Sequence, residues 1–194
     1  MKYLDIAPKN IVVKESQKSG DMLMDKQVFI INGSGGTGKD TFVTLISDIA
    51  YIMNFSSVDK IKEIARIIGW TGGKTEKDRK FLSDLKLLCV GYNDLPLNSM
   101  KNKFDEFLNS NTNFLFLHIR EPEEIERAKK TFNAKTILIK RESVEHIKSN
   151  MSDKNVYNYD YDIIINNNGT IEELKHKAEM FLRDFHKNQF KKQY

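Results

Sequence analysis

From Val28 onward the apolar positions fall into two alternating kinds of run: short continuous ones, and ones spaced at helical intervals. Val28-Phe29-Ile30-Ile31 is continuous and ends in Asn32-Gly33, the pattern of a central strand buried on both faces. Beyond the glycines, Phe42, Leu45, Ile46, Ile49 and Ile52 recur every three or four residues, which predicts a helix of about three turns with one apolar face. Phe55 to Val58 reads as a second strand. Ile61, Ile64, Ala65 and Ile68 form the buried face of a second helix, stopped by Gly69 and Gly72-Gly73. Two helices then follow with no strand between them. The first, Lys74 to Tyr92, turns Phe81, Leu82, Leu85, Leu88 and Cys89 inward; the second, Asn98 to Leu108, turns Phe104, Phe107 and Leu108 inward. Phe114 to Ile119 is a third strand closed by Arg120-Glu121-Pro122, and Pro122 suits the first turn of the next helix because that position needs no backbone donor. Thr136 to Ile139 and Asp162 to Ile165 supply two more strands. Thr170-Ile171-Glu172-Glu173 is a capping box opening a last helix with Ile171, Leu174, Ala178, Phe181, Leu182 and Phe185 inward.

Parallel strands need crossover connections, which are nearly always right-handed helices, so strands interleaved with helices predict an α/β fold in three layers. The expected core is a five-stranded parallel sheet flanked by helices. The pattern assigns it to one domain, residues 27 to 188, with a polar tail at 189 to 194. Residues 1 to 26 carry only the apolar Ile11-Val12-Val13 and a Lys/Ser/Gly stretch and read as an extension, with Met24 available as an alternative start.

Composition narrows the class. A chain of 194 residues, 40% hydrophobic and 30% charged, suits one domain with a substantial core. No apolar stretch reaches the roughly 20 residues of a membrane helix, and the early Lys, Asp and Glu residues do not suit a secretory signal. A cytoplasmic protein without a membrane partner is expected. The excess of 31 basic over 27 acidic residues, a net charge of +4, is too small and dispersed to require nucleic acid, and phosphate ligands account for it as well. Cys89 is the single cysteine, so it closes no intrachain disulfide, and its apolar surroundings mark it as core filler.

Gly33 to Lys39 fits G-x-x-x-x-G-K between an apolar strand and an amphipathic helix, the context that gives the motif its meaning. A glycine-rich turn lets backbone N–H groups converge on phosphate oxygens, and the helix N-terminus adds a partial positive charge. A turn without a ligand would need one or two glycines; here there are four, followed by lysine. Gly33, Ser34, Gly35, Gly36, Thr37, Gly38, Lys39, Asp40 and Thr41 are therefore candidate contacts for the polyphosphate of ATP or a related nucleotide, with Lys39 bridging the outer phosphates. Asp40 stands where the usual motif has a Ser or Thr for Mg²⁺, and Thr41 follows it. The carboxylate suits Mg²⁺ directly or through water, would also accept a substrate hydroxyl, and equally caps the helix. His118 on the third strand reads as a hydrogen-bonded core histidine. Trp70 reads as the closure of a helix end, with stacking on a base as the alternative.

At Gly38-Lys39-Asp40-Thr41 the chain resembles the nucleoside monophosphate kinases among P-loop proteins, in particular the deoxynucleoside monophosphate kinases of bacteriophages and their bacterial relatives. Animal-type phosphomevalonate kinases share Gly-Lys-Asp, and dephospho-coenzyme A kinases have a related layout. The likeness extends in outline to Asp78-Arg79, Ser152-Asp153 and Asp162 to Thr170, covering Val28 to about Phe185. It implies phosphorylation of a small phosphorylated acceptor, foremost a nucleoside or deoxynucleoside monophosphate, with ATP and Mg²⁺, the metal near Asp40 and Thr41. By the same resemblance Lys39, Asp40, Arg120 and Arg141 are catalytic candidates, and Asp59, Arg79 and Arg120 would grip the acceptor, with Ser56 and Lys60 nearby. Glu121 would approach Mg²⁺ or serve as an acid in a helix first turn. Residues 142 to 160 occupy the place of the lid, with Lys140, Lys148 and Lys154 about it and few arginines, and Tyr157, Tyr159 and Tyr161 would pack beneath it or line a base pocket. Two other readings stay open: an ATP-binding regulatory protein without efficient transfer, and a kinase of a non-nucleotide acceptor such as phosphomevalonate or dephospho-coenzyme A. A homodimer is compatible with all three.

Overall fold

The computed structural model describes residues 26–145 and 155–191. In chain order the elements are β1 (Gln27–Asn32), α1 (Lys39–Ser47), β2 (Ile52–Ser56), α2 (Asp59–Ile67), α3 (Glu76–Asn93), α4 (Leu95–Leu108), β3 (Phe114–His118), α5 (Pro122–Phe132), β4 (Lys135–Lys140), α6 (Glu142–Glu145), β5 (Ile163–Asn166) and α7 (Ile171–Lys191). The strands form one sheet in the order β2-β3-β1-β4-β5, every pair parallel. This is the three-layer α/β fold that the apolar pattern predicts.

The central strand β1 shows why the sheet must be covered on both sides. Its alternate side chains point to opposite faces, and both sets are buried. Val28 and Ile30 join Met100 and Phe107 of α4 and Ile125 and Phe132 of α5 in one core. Phe29 and Ile31 join Phe42 and Ile46 of α1 and Leu174 and Phe181 of α7 in the other. The ring of Phe29 stacks on Phe116 at 5.4 Å and meets Phe181 and Phe185 edge-on at 5.0 and 4.9 Å. The chain leaves β1 toward β2 and β3 on one side and is completed by β4 and β5 on the other. That reversal opens a crevice at the carboxyl end of β1, where ligands bind in sheets of this kind.

Several boundaries differ from those expected. α1 stops at Ser47, where Ile49 and Ala50 turn their N–H groups back to the Ile46 carbonyl. Ile49 is therefore exposed, and Ile52 opens β2, pairing with Phe114, three residues ahead of the expected start at Phe55. α2 buries Ile61 and Ala65 but ends before Ile68, which is exposed ahead of Gly69 in the left-handed region. α4 begins at Leu95 rather than Asn98, with Pro96 in its first turn.

α3 forms where expected, opened by a reciprocal cap between Thr75 and Asp78, yet none of its residues is fully buried. It packs against α2 and α4 rather than on the sheet. Leu88 is 72% exposed and Cys89 only half-buried, so Cys89 is not core filler.

Lys26, which the sequence assigned to the extension, donates from Nζ to the carbonyls of Phe107, Ser110 and Thr112 at 2.7, 2.7 and 2.8 Å. The cation draws together carbonyls at the C-terminal end of α4 and in the turn that follows it, where a positive charge is favourable. The rest of the extension, the tail residues 192–194, and Lys148, Ser152, Asp153 and Lys154 of the expected lid lie outside the described residues. Among the described residues no helix is long and apolar enough to cross a membrane.

Candidate functional site

The glycine loop joins β1 to α1 by a path that only glycine takes easily. Gly36 and Gly38 have φ of 83° and 90°, left-handed values that favour a residue without Cβ. Gly33 is needed for a different reason: a Cβ there would lie 2.6 Å from the Thr37 hydroxyl and 2.8 Å from the Ile139 carbonyl. Thr37 holds the turn from inside, its hydroxyl donating to the Ser34 carbonyl at 2.9 Å. The Asn32 side chain accepts from the Gly33 N–H at 2.8 Å and donates to the Tyr161 hydroxyl at 2.7 Å and the Arg120 carbonyl at 3.1 Å.

Two of the three tyrosines expected beneath the lid, Tyr157 and Tyr161, support this loop from behind. Tyr161 is buried, and its hydroxyl donates to the Val156 carbonyl at 2.8 Å; desolvation is the main reason its pKa is pushed up to about 12. Tyr157 accepts from the Ser34 hydroxyl at 3.2 Å, and Tyr159 turns away to donate to Glu126 at 2.6 Å. None of the three lines the cleft in front of the loop.

That cleft, about 500 Å³, is where the sequence-derived candidates gather. Ser34, Gly35, Gly36, Gly38, Lys39, Asp40 and Thr41 form its floor, Arg120 reaches it from the end of β3, and Arg141 from the end of β4. The turn after β5 supplies the opposite wall, with Asn167, Gly169 and Thr170 leading to Ile171 and Leu174 of α7. Ile171 was expected to face the core. It is instead 51% exposed on that wall, an apolar surface beside a polar loop.

Lys39 sits at the centre. Its ammonium donates to Asp40 Oδ1 at 2.5 Å and to His118 Nδ1 at 2.8 Å. Burial is the larger influence on Lys39 and lowers its pKa, with Asp40 opposing and the charges of Arg120 and Lys62 adding to the fall. The Asp40 side chain is 86% exposed at the cleft mouth. The cleft walls still desolvate it, which pushes its carboxyl up, but the hydrogen bond and charge of Lys39 outweigh this and hold it below the usual carboxylate range.

His118 departs from its expected role as a core residue. Its ring lies in the site, bonded to Lys39 through Nδ1 and to Asn54 Oδ1 through Nε2 at 2.6 Å. Burial first, then the charge of Lys39, lowers its pKa to about 4, so the imidazole is neutral at pH 7.

Other candidates stand apart from the cleft. Asp59 accepts from the Ser56 N–H at 2.8 Å and so fixes the turn into α2. Arg79 is exposed in the first turns of α3 and does not line the cleft, and Asp78 beside it is held below the usual carboxylate range by its hydrogen bonds to Thr75. Lys60 pairs with Glu63 at 2.6 Å, and Glu121 accepts from Asn155 at 3.3 Å. Trp70 closes the end of α2, its backbone N–H donating to the Ala65 carbonyl at 2.8 Å and its ring under Arg66. Sequence reasoning passed over Lys62, whose ammonium acts electrostatically on both Lys39 and His118. It sits on the half-buried flank of α2, one step from the Ile61 that the periodicity did single out. Asn54 and Asn167 were also passed over, since nothing in the sequence separates a bracing asparagine from a surface one.

No protein-family model and no curated protein matches the chain. Among solved structures it is similar to an unliganded sugar kinase from Janibacter sp. HTCC2649, at 14% identity over 82% of this chain and 95% of that one, with a TM-score of 0.50. A putative kinase from Chloroflexus aurantiacus aligns at 12% identity over 84% and 98% of the two chains, with a TM-score of 0.49. A shikimate kinase from Aquifex aeolicus aligns at 14% identity over 81% and 97%, with a TM-score of 0.45. At 14% identity the likeness to the sugar kinase speaks for the fold alone, a five-stranded parallel sheet flanked by helices.

Proposed function

We propose that the protein is an ATP-dependent phosphotransferase acting on a small phosphorylated acceptor, foremost a nucleoside or deoxynucleoside monophosphate. The observation that carries this reading is the convergence of Lys39, Arg120 and Arg141 on one cleft floored by the glycine loop. Nucleotide binding alone needs only the loop and its lysine. Two further arginines at strand ends suit phosphoryl transfer, whose catalysis is mostly positioning and neutralisation of charge on phosphoryl oxygens.

The residues fit ATP. Gly35, Gly36 and Gly38 line the cleft and put no side chain between the backbone and a ligand, and the first turn of α1 offers N–H groups with no partner inside the helix. Ile171 and Leu174 give the base an apolar wall. The donor set also fits Mg²⁺, which takes hard oxygen ligands and keeps several waters. Asp40 and Thr41 both line the cleft, while the described residues hold no group of three acidic, His or Cys side chains that would cage an ion unaided. Asp40 and Thr41 would therefore hold the ion together with the nucleotide phosphates, and the ion would supply charge neutralisation on the phosphate oxygens.

In this reading the loop fixes the polyphosphate, Lys39 neutralises its outer oxygens, and the exposed Asp40 is released from Lys39 as the nucleotide enters. Arg120 and Lys62 hold the acceptor's phosphate, a role in which Lys62 replaces the exposed Arg79. Arg141 closes on the group being transferred, in line with the exclusion of water that such transfer requires.

The test is ADP release by the purified protein with Mg²⁺-ATP across a panel of nucleoside and deoxynucleoside monophosphates, phosphomevalonate and dephospho-coenzyme A. Release that depends on one acceptor and disappears in Lys39→Ala supports the proposal. Tight ATP binding with no acceptor-dependent release from any compound would replace it with a regulatory nucleotide-binding role.

A further inference from the structure

We propose that His118 is the positioning residue of Lys39, held in one tautomer by Asn54, so that the strand pair β3–β2 sets where the phosphate-binding ammonium points. This deepens the ATP-binding reading above and rests on it. The geometry starts from the sheet register: Ser56 lies beside His118 and Asn54 beside Phe116, so Asn54, two residues before Ser56, shares the sheet face of His118. That placement brings Asn54 Oδ1 to 2.6 Å from Nε2, while Nδ1 lies 2.8 Å from Lys39 Nζ.

The two partners determine the proton. A lysine ammonium only donates, so Nδ1 facing it carries no hydrogen, and the ring's single N–H is on Nε2, where the Asn54 oxygen accepts it. The chain of donors thus runs Lys39 to His118 to Asn54 without a break. A carboxylate at position 118 would also hold Lys39 but would cancel its charge. The neutral imidazole fixes the ammonium's direction and leaves its positive charge for phosphate oxygens.

The two ligands of Lys39 are unequal. His118 is mostly buried at the end of a central strand, its side chain 13% exposed, whereas Asp40 stands almost wholly in solvent. Entry of a nucleotide can displace Asp40 at little expense while His118 keeps hold.

The experiment uses the full chain and two readouts. The first is affinity for Mg²⁺-ATP by calorimetry, without any acceptor. His118→Ala is expected to weaken binding by about tenfold, the loss of one hydrogen bond to a charged group. His118→Asn, whose Oδ1 takes the place of Nδ1, is expected to stay within about threefold of the parent. Asn54→Ala, on an exposed edge strand where it does not threaten folding, is expected to fall between them. The second readout is the ¹⁵N spectrum of the imidazole in the protein without nucleotide: one Nε2–H tautomer in the parent, a mixture in Asn54→Ala.

Equal losses in His118→Ala and His118→Asn would overturn the proposal, since they would mark a role in packing alone. So would a parent ring protonated on Nδ1. If His118→Ala does not fold, Asn54→Ala decides: unchanged affinity together with an unchanged tautomer overturns it. Lys39→Ala separates the two layers of argument. If it leaves ATP binding intact, the ATP-binding reading and this inference fall together; if it abolishes binding while His118→Ala has no effect, only this inference falls.

Discussion

The side-chain amide of Asn167 donates to the Thr37 carbonyl at 2.9 Å, joining the turn after β5 to the glycine loop across 130 positions of sequence. Asn167 is buried, and its own N–H is fixed on the Lys140 carbonyl at 2.6 Å, so the brace is anchored in β4 rather than in the loop it supports.

Asn167→Ala should therefore act on the loop by removing its brace, besides altering the cleft wall to which Asn167 belongs. It leaves the buried Thr37 carbonyl without this donor, which costs about 1–3 kcal/mol of stability. Urea unfolding measures that loss. ATP affinity should fall in parallel because the loop N–H groups lose their fixed direction, and an unchanged affinity would show that the loop holds its shape unaided.

Gly38→Ala strikes the same junction from the other side. At φ of 90° an alanine is strained, and its Cβ would run into the Asn167 amide at less than van der Waals distance. Strain of this kind costs on the order of 1–3 kcal/mol, and the displaced amide adds to it. The variant should show a lowered Tm and no measurable ATP binding, whereas Gly35→Ala, with nothing within 4 Å of its Cβ and no left-handed φ, should keep the parent's Tm.

Arg120→Ala and Arg141→Ala remove cations that line the cleft. Each should lower kcat/KM by at least about 100-fold, in the range seen when one charge-stabilising group is deleted from an active site. Arg120 is exposed and Arg141 half-buried, so the change in stability should be small beside the loss of rate, and a Tm measurement reads it separately. Arg79→Ala, at an exposed residue that does not line the cleft, should leave kcat/KM within about twofold of the parent. Steady-state kinetics on the three variants distinguishes the residues that the fold brings together from the one it leaves outside.

His118 makes stability depend on pH in a defined direction. Its pKa is 6.5 in the unfolded chain and about 4 when folded, so between those values the unfolded state binds the extra proton. Stability is then full above pH 6.5 and declines as pH falls toward 4, by an amount on the order of 3 kcal/mol. Asp40 and Asp162, whose carboxyls lie below the usual range, lose their contributions only at lower pH. Urea unfolding at a series of pH values should show this decline in the parent, and His118→Asn should flatten it between pH 6.5 and 5.

The strands were legible because their burial is decided by their own composition. Phe29-Ile30-Ile31 and Leu115-Phe116-Leu117 are apolar on both faces, and a sheet covered on both faces is the structure that hides them. The glycine loop was legible because its backbone needs glycine at 36 and 38 whatever surrounds it. Helix faces were read less well. Ile171 and Leu88 fall at helical spacing with true core residues, but Ile171 ends on the cleft wall, and α3 packs on other helices and leaves Leu88 in solvent. Periodicity gives the side of a helix that is apolar and is silent on whether a neighbour covers it. Least legible were His118, Asn54, Lys62 and Asn167. Their roles depend on strand order and register, which place β2 beside β3 and β5 beside β4, and a local window of sequence does not contain that information.

The clamp of Lys26 on the end of α4 fixes where the polypeptide enters the fold. β1 begins at the next residue and runs six residues to the glycine loop, a span of about 20 Å at the usual rise of a strand. Lys26 and the turn it binds therefore stand at the pole facing away from the cleft. A fluorophore or surface linker fixed at that pole, for instance at the exposed Asn111 between α4 and β3, would stand clear of the mouth of the cleft, which makes it the natural point by which to immobilise the protein for nucleotide-binding measurements.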